Sequence, residues 1–185
     1  MEERLLIQKA QNGDAVAVEE LLSRYEERIY KLAARFFSNP QDAGDVAQEA
    51  MIRIYERLGS YSWRAAFSTW IYRITVNLCI DETRHRKKQP IQELPENMVS
   101  GHAGPEERAV QDETGRQVRA AIASLSPEYR AVLVLREIEG LEYGEIEVIL
   151  GLASGTVKSR LNRARDAFRK QFAVLSRRGE GHAVC

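Results

Sequence analysis

The sequence contains few of the residues that build disulfide frameworks, metal centres or membrane anchors. Two cysteines and three histidines occur in 185 residues, and they form no CxxC or His/Cys cluster, which argues against a zinc site or a disulfide scaffold. No apolar run approaches the roughly 18 residues that span a bilayer, and the first residues do not resemble a signal peptide. We therefore expect a cytoplasmic protein without a metal, a cofactor or a stable membrane insertion.

Alternating apolar and polar residues, which mark half-buried β-strands, are absent, and so is a glycine-rich phosphate loop. Apolar residues instead recur at helical spacing. Helices are predicted over residues 3–11, after Asp14, from Pro40 to about Leu58, from a Ser68 cap to about Arg86, and again from about Glu113. On the third helix, the residues expected to point largely inward are Val46, Met51, Ile54, Tyr55 and Leu58. The sequence predicts an all-α fold with no catalytic residues.

Residues 89–112 interrupt this helical pattern. They contain three prolines and two glycines, an excess of acidic residues and few large apolar side chains, which is typical of a flexible linker. We therefore predict two small helical domains, residues 1–88 and 113–178, joined by a flexible acidic linker and followed by a tail, residues 179–185.

The chain has no net charge, but its charges are segregated. Residues 1–58 carry eight cations and eleven acids, whereas residues 84–88 carry four cations and no acid. Between residues 154 and 178, eight cations accompany a single acid, Asp166. Neutrality with two basic patches favours a nucleic-acid binder whose acidic surface is reserved for another partner or for screening.

The larger basic patch lies in a predicted helix-turn-helix over residues 140–165. Val157, Leu161, Ala164 and Phe168 recur at helical spacing and form an inward stripe, while Gly151 occupies the corner. Basic residues also solvate ordinary helices and favour helix C-termini. That alternative does not explain the acidic preceding helix or the small residues 153–156, which allow close approach to a phosphate. The segment therefore predicts a helix that reads DNA in the major groove.

A second candidate site interleaves aromatic and basic residues over residues 61–88. The possible stacking platforms for unpaired bases are Tyr61, Trp63, Phe67, Trp70 and Tyr72. Because aromatics at helical spacing usually pack in a core, Trp70 and Ile74 are assigned to the core first. Asn77, which can both donate and accept a hydrogen bond, is the better candidate for reading a base edge. The residues alone predict contact with single-stranded or duplex DNA and no mechanism.

Four segments resemble, in the family order, a bacterial sigma factor of the sigma-70 family, in the extracytoplasmic-function group. They are NGDAVAVEELLSRYEERIYKLAARF, similar to the start of region 2; DAGDVAQEAMIRIYERLGSY, similar to the polymerase-binding helix; FSTWIYRITVNLCIDETRHRKK, similar to the promoter-melting helix; and LSPEYRAVLVLREIEGLEYGEIEVILGLASGTVKSRLNRAR, similar to region 4. The resemblance covers nearly the whole chain outside the linker and tail.

The resemblance implies a dissociable subunit of RNA polymerase that recognises −35 and −10 promoter elements, promotes DNA melting and initiates transcription of a stress or envelope regulon. It implies as partners the clamp coiled coil and flap region of core RNA polymerase, promoter DNA and an anti-sigma factor. The linker would thread toward the active-site cleft of the polymerase.

Three sets of site residues follow from the same resemblance. The −35 element would be contacted by Ser154, Thr156, Lys158, Ser159, Arg160, Asn162, Arg163 and Arg165. The −10 element would be contacted by Tyr61, Trp70, Arg73, Asn77, Asp81, Arg84, Arg86, Lys87 and Lys88. Core polymerase would be contacted by Asp45, Gln48, Glu49, Met51, Ile52 and Arg53.

The sequence departs from the family pattern inside the helix-turn-helix. Glu147 stands where a small residue is usual, so its carboxylate must reach solvent or pair with Lys158 or Arg160. Glu142 replaces a common Ser or Thr cap, and Ala153 replaces a frequent Pro at the helix start.

Other classes of protein fit the sequence less well. A helix-turn-helix activator or repressor outside the polymerase would need an α/β receiver or sensing domain, and residues 1–88 show no alternating strands. A helical adaptor would leave both basic patches without a ligand.

Overall fold

In the computed structural model, which describes residues 2–88 and 105–180, the described chain is built from α-helices with no strand. The helices are α1 (Glu3–Gln11), α2 (Ala15–Ala34), α3 (Pro40–Arg57), α4 (Phe67–Lys88), α5 (Pro105–Ser124), α6 (Pro127–Leu133), α7 (Tyr143–Leu150) and α8 (Ser154–Glu180). A 3₁₀ turn, Leu58–Ser60, follows α3, and a π-helical segment, Val134–Ile138, extends α6. The all-α prediction is confirmed.

Helix starts follow the local capping chemistry. The Asp14 carboxylate accepts hydrogen bonds from the backbone N–H groups of Val16 and Ala17, both at 3.1 Å. Asn39 caps α3 in the same way, with Pro40 at the first helical position. The predicted Ser68 cap is wrong, because α4 begins one residue earlier, at Phe67.

Helix α5 begins at Pro105, eight residues before the predicted start at Glu113. Proline is favoured in the first helical turn because its missing N–H would have no partner there. The predicted linker is therefore helical over its last eight residues, and residues 89–104 lie outside the described part of the chain.

Helices α1–α4, here called the first lobe, enclose one part of the apolar core. Its fully buried side chains include Leu6, Leu21, Ile29, Ile54 and Ile71. On α3, the inward prediction holds for Val46, Ile54 and Leu58 and is wrong for Tyr55, whose side chain is 60 % exposed. Tyr55 lies beside Met51 in the lining of a groove, so none of the described helices covers its ring.

Helices α5–α8, the second lobe, contain the helix-turn-helix. Gly151 ends α7 in the left-handed conformation, with φ of 63°, which glycine adopts without strain. The predicted inward stripe of α8 is confirmed, since Val157, Leu161 and Ala164 are fully buried and Phe168 packs against the core. The two lobes also touch, because α4 packs against both α6 and α7.

Candidate nucleic-acid interface

The outer face of α8 carries most of the side chains predicted to read duplex DNA. Lys158, Ser159, Asn162 and Arg163 are exposed, while Thr156 and Arg160 are partly exposed. A shallow cleft of about 340 Å³ lies beside them, and its lining residues are Ser126, Glu128, Tyr129, Thr156, Ser159, Arg160 and Arg163. The side chain of Ser154 lies outside the described residues. A contiguous polar and cationic surface is therefore available along the first three turns of α8.

Arg165 differs from the other predicted −35 residues, because its guanidinium already has a partner within the chain. Its Nε and Nη2 atoms donate to Oε1 of Glu137 at 2.9 and 2.6 Å. This pair joins α8 to the π-helical segment, so Arg165 braces the helix-turn-helix as well as adding charge. Glu147 is partly exposed and forms no ion pair within the described residues, so its carboxylate reaches solvent as expected.

A second basic cleft lies between α3 and α4 in the first lobe. It encloses about 240 Å³, and its lining residues are Arg53, Arg57, Ser60, Trp70, Arg73, Ile74 and Asn77. Residues with three guanidinium groups, an amide and an indole thus line one space, which we call the basic cleft. Such a set can hold a phosphate and stack or hydrogen-bond an unpaired base.

The structure changes the membership of this site. Trp70, Arg73 and Asn77 were predicted to contact the −10 element and lie together in the basic cleft. Arg53 was predicted to face the polymerase but lines the same cleft, with Nε donating to Glu49 at 2.7 Å. Arg57 and Ser60 were missed. The spacing of Arg53 and Arg57, four residues apart on one helix face, was the available signal for Arg57.

Two other residues predicted to contact the −10 element, Tyr61 and Arg86, instead make contacts within the chain and do not line the basic cleft. Tyr61 is 6 % exposed, and its hydroxyl donates to the Ala65 carbonyl at 2.8 Å, so its ring cannot stack on a base in this conformation. Arg86 pairs with Asp42 and with Glu82 and lies over the Phe37 ring. The side chains of Lys87 and Lys88 lie outside the described residues.

The remaining two, Asp81 and Arg84, belong to the contact between the lobes. Arg84 donates to Glu128 of α6 at 2.7 and 3.1 Å and lies 3.6 Å from Asp81. Partial burial alone would raise the pKa of the Glu128 carboxyl, but the hydrogen bonds from Arg84, from the backbone of Glu128 and from Ser126, together with the Arg84 charge, outweigh it and lower that pKa. Arg84, which was predicted to hold promoter DNA, is thus paired with Glu128, a residue that lines the cleft beside α8.

Two further polar contacts cross between the lobes. The hydroxyl of Tyr72 donates to Glu139 at 3.0 Å, and burial together with the Glu139 charge raises the pKa of Tyr72 to about 12. Arg130 is 3 % exposed, and its guanidinium donates to the carbonyls of Ile122 and Ala123 at the end of α5 and of Phe36 just after α2. A cation at two helix C-termini is electrostatically favourable.

The predicted polymerase-binding residues divide between two faces of α3. Asp45, Gln48 and Ile52 are exposed, and Ile52 is 46 % exposed despite being apolar. Met51 points to the other side, into a groove of about 860 Å³ with the apolar residues Val18, Leu22 and Tyr55. Acidic side chains, namely Glu19, Glu26 and Glu56, also line this groove. An apolar surface with an acidic rim favours a protein partner with basic and apolar residues.

A helix-turn-helix with a cationic outer face, a separate basic cleft and an exposed apolar helix face together define a DNA-binding transcription protein. Residues 21–89 match the family model described as Sigma-70 region 2, and residues 115–168 match the one described as Sigma-70, region 4. The chain is 38% identical to the ECF RNA polymerase sigma factor SigW of Bacillus subtilis, over 91% of this chain and 96% of SigW.

Two further relatives give the same result. The chain is 38% identical to SigE of Mycolicibacterium smegmatis, over 89% of this chain and 66% of that longer protein. It is 34% identical to the sigma-E factor of Escherichia coli K12, over 95% of this chain and 97% of that protein. The chain therefore belongs to the extracytoplasmic-function group of the sigma-70 family of RNA polymerase sigma factors.

Solved structures agree with this assignment. CnrH, in complex with the cytosolic domain of CnrY, is 25% identical with a TM-score of 0.68, and the match covers 93% of this chain and 97% of CnrH. RpoE of Bartonella quintana, in complex with the anti-sigma factor NepR, has the same fold, with a TM-score of 0.64 at 20% identity over 84% of this chain and 96% of RpoE. Among the described helices, none has the length and apolar character needed to cross a membrane.

Proposed function

We propose that this chain acts in the cytoplasm, binds core RNA polymerase and directs it to promoters whose −35 and −10 elements it contacts directly, without catalysing a covalent step. Two separate cationic surfaces, the outer face of α8 and the basic cleft, carry this proposal. Each suits a different form of DNA. The proposed units are a region 2 domain, residues 1–88, a linker, residues 89–112, and a region 4 domain, residues 113–178.

The α8 surface suits duplex DNA. An exposed helix with a small first turn enters the major groove, where arginine pairs with guanine edges and asparagine with adenine. Asn162 and Arg163 are both exposed in the third turn of α8, so we assign base reading to them. Lys158 and Arg160 contact phosphates and fix the position of the helix on the DNA.

The basic cleft suits single-stranded DNA. Its volume and its Trp70 and Asn77 side chains fit one unstacked base, and its arginines neutralise adjacent phosphates. Unstacking a base costs a few kcal/mol, so the contacts that capture it in the cleft must offset that cost. We infer that this capture is the step by which the protein promotes DNA melting.

The outer face of α3 suits the polymerase. Asp45, Gln48 and Ile52 form one exposed strip, and the neighbouring groove offers apolar surface between acidic residues. We propose that the clamp coiled coil of the largest polymerase subunit docks on this strip and that the flap region contacts the second lobe.

In the packed arrangement of the two lobes, Arg84 is paired with Glu128 at the edge of the α8 cleft. We propose that this is the form without DNA and that an anti-sigma factor holds it. The complex of the relative CnrH with the cytosolic domain of CnrY supports capture of this chain by a second protein.

Run-off transcription tests the proposed function. Purified protein is added to bacterial core polymerase with genomic fragments as templates, and the transcripts are mapped. Discrete new start sites preceded by a shared pair of sequence elements support the proposal. A protein that binds DNA fragments but leaves core polymerase inactive would instead be a helix-turn-helix activator or repressor.

A further inference from the structure

One wall of the basic cleft is formed by the connection between α3 and α4, residues 58–66, which we call the cleft loop. Ser60 of this loop lines the cleft. Gln11, the last residue of α1, anchors this loop and does not line the cleft. Its Nε2 atom donates to the carbonyls of Leu58 and Tyr61 at 3.0 and 2.9 Å. These two carbonyls flank Ser60 in the chain. A single side chain, 47 and 50 positions away, therefore fixes this wall.

The tip of the cleft loop is also in contact with α1. Trp63 has a φ of 61°, a left-handed conformation that is strained for a bulky residue and persists only where its surroundings hold it. The Arg4 guanidinium lies 5.6 Å from the Trp63 ring centroid, and the Tyr61 ring lies 5.1 Å from the same ring. Helix α1 thus restrains both the base and the tip of the loop.

The restraint reaches the cleft through packed aromatic rings. Tyr61 is buried, and its ring centroid lies 5.0 Å from that of Phe67 and 5.5 Å from that of Trp70. Trp70 itself lines the basic cleft. A shift of the Tyr61 backbone would consequently move both Ser60 and Trp70, on two sides of the space that would receive a base.

We propose that Gln11 is a positioning residue for −10 recognition: by donating to the Leu58 and Tyr61 carbonyls, it sets the shape of the basic cleft and hence which unpaired base the cleft accepts. The proposal rests on the proposed function of the cleft. Gln11 itself does not line the cleft, so its effect must pass through the loop.

The test compares four proteins assembled with purified core polymerase. Gln11→Glu keeps the shape of the side chain but replaces the donor with a carboxylate that faces two carbonyls. Gln11→Lys restores N–H donors at the same place. Gln8→Glu is the matched control, because Gln8 is exposed on the same helix and undergoes the same change of charge. The fourth protein is the unaltered chain.

Each holoenzyme is incubated with a pool of labelled single-stranded DNA in which six positions are randomised, and bound strands are sequenced. We expect Gln11→Glu to lower affinity for the strand preferred by the unaltered protein about tenfold, since two partly buried carbonyls lose the donor that holds the cleft loop, and to change the base preference at one position. Gln11→Lys and Gln8→Glu should retain the affinity and the preference. Affinities for core polymerase and for a −35 duplex should be the same for all four proteins.

The outcomes distinguish failure of the positioning role of Gln11 from failure of the proposed role of the basic cleft. If the unaltered holoenzyme selects no sequence from the pool, the proposed role of the basic cleft fails. If it selects a sequence and Gln11→Glu selects the same one with the same affinity, the positioning role of Gln11 is overturned. Should Gln11→Glu not fold, as judged by core binding and circular dichroism, Gln11→Met, which also lacks a donor, is measured by the same criteria.

Discussion

Arg84 of α4 donates two hydrogen bonds to one oxygen of Glu128 on α6, at 2.7 and 3.1 Å, and so joins the two lobes of the protein. The pair brings a residue predicted to hold the −10 strand to the edge of the cleft beside α8, the helix predicted to read the −35 element. While the two residues are paired, Arg84 cannot hold DNA. If Arg84 contacts the −10 strand as predicted, separation of the lobes and binding of promoter DNA are coupled through this contact.

Charge reversal at this contact should shift the protein towards separated lobes. Glu128→Lys places two cations together, and because exposed ion pairs contribute only about 0.2–1 kcal/mol, we expect a change of at most about fivefold in the fraction of separated molecules. Energy transfer between dyes on α2 and α8 measures that fraction. The exchange Arg84→Glu with Glu128→Arg is the control and should restore the packed state; an unchanged signal in Glu128→Lys would show that apolar packing alone holds the lobes.

The same contact should weaken at acid pH. The pKa of Glu128 is lower in the packed protein than the ordinary glutamate value of about 4.3. The Arg84–Glu128 pair therefore contributes fully to the free energy of lobe packing above about pH 4.3. This contribution is lost as pH falls through the lowered pKa of Glu128. Energy transfer recorded between pH 6 and pH 3 should show this loss. Glu128→Gln should lack that part of the transition, and an identical acid transition in the variant would contradict the prediction.

Removal of Arg163 should weaken binding to a −35 duplex by about 1–3 kcal/mol if its guanidinium contacts a base. The loss should be greatest for the preferred sequence, so that discrimination between sequences falls. Fluorescence anisotropy with specific and scrambled duplexes measures both quantities. Arg169→Ala is the matched control, because Arg169 is exposed further along α8 and pairs with Asp166 at 3.0 Å. Equal losses in the two variants would indicate a charge effect without base reading.

Removal of Arg57 should affect single-stranded −10 DNA and spare the −35 duplex. Arg57 lines the basic cleft beside Ser60 and Arg73, and losing one phosphate contact on a single strand should lower the slope of log affinity against log salt by about 0.7. Titrations of holoenzyme at several salt concentrations test this. Arg35→Ala removes the same charge from an exposed site that does not line the cleft; a matching change of slope there would exclude a local contact.

Replacing Ile52 by Asp should reduce affinity for core polymerase without unfolding the protein. The Ile52 side chain is 46 % exposed on α3, so the substitution costs little in the free protein, but it buries a charge if the face is covered by a partner. We expect a loss of more than about tenfold, measured by competition for core enzyme. Leu5→Asp alters an equally exposed leucine on α1, outside the α3 strip and its neighbouring groove, and should bind core enzyme normally. Normal binding by Ile52→Asp would remove this face from the interface.

Elements set by local chemistry were predictable. The Asp14 cap, the start at Pro40 and the inward stripe of α8 follow from residues within one or two helical turns of each other, and the structure confirms all three. The start of α5 was misplaced because proline and acidic residues suit both a linker and a first helical turn. Tyr55 was misplaced because helical spacing shows which residues share a face but not whether another element covers that face.

The sequence by itself determined the all-α fold, the helix-turn-helix and the family, since these depend on periodicity, capping and short motifs. Only the tertiary structure decided which charged and aromatic side chains remain available for DNA. It buries Tyr61, pairs Arg165 with Glu137 and Arg84 with Glu128, and brings Arg57 into the basic cleft. The reason is that such pairings join residues far apart in the chain, so each depends on how whole helices pack.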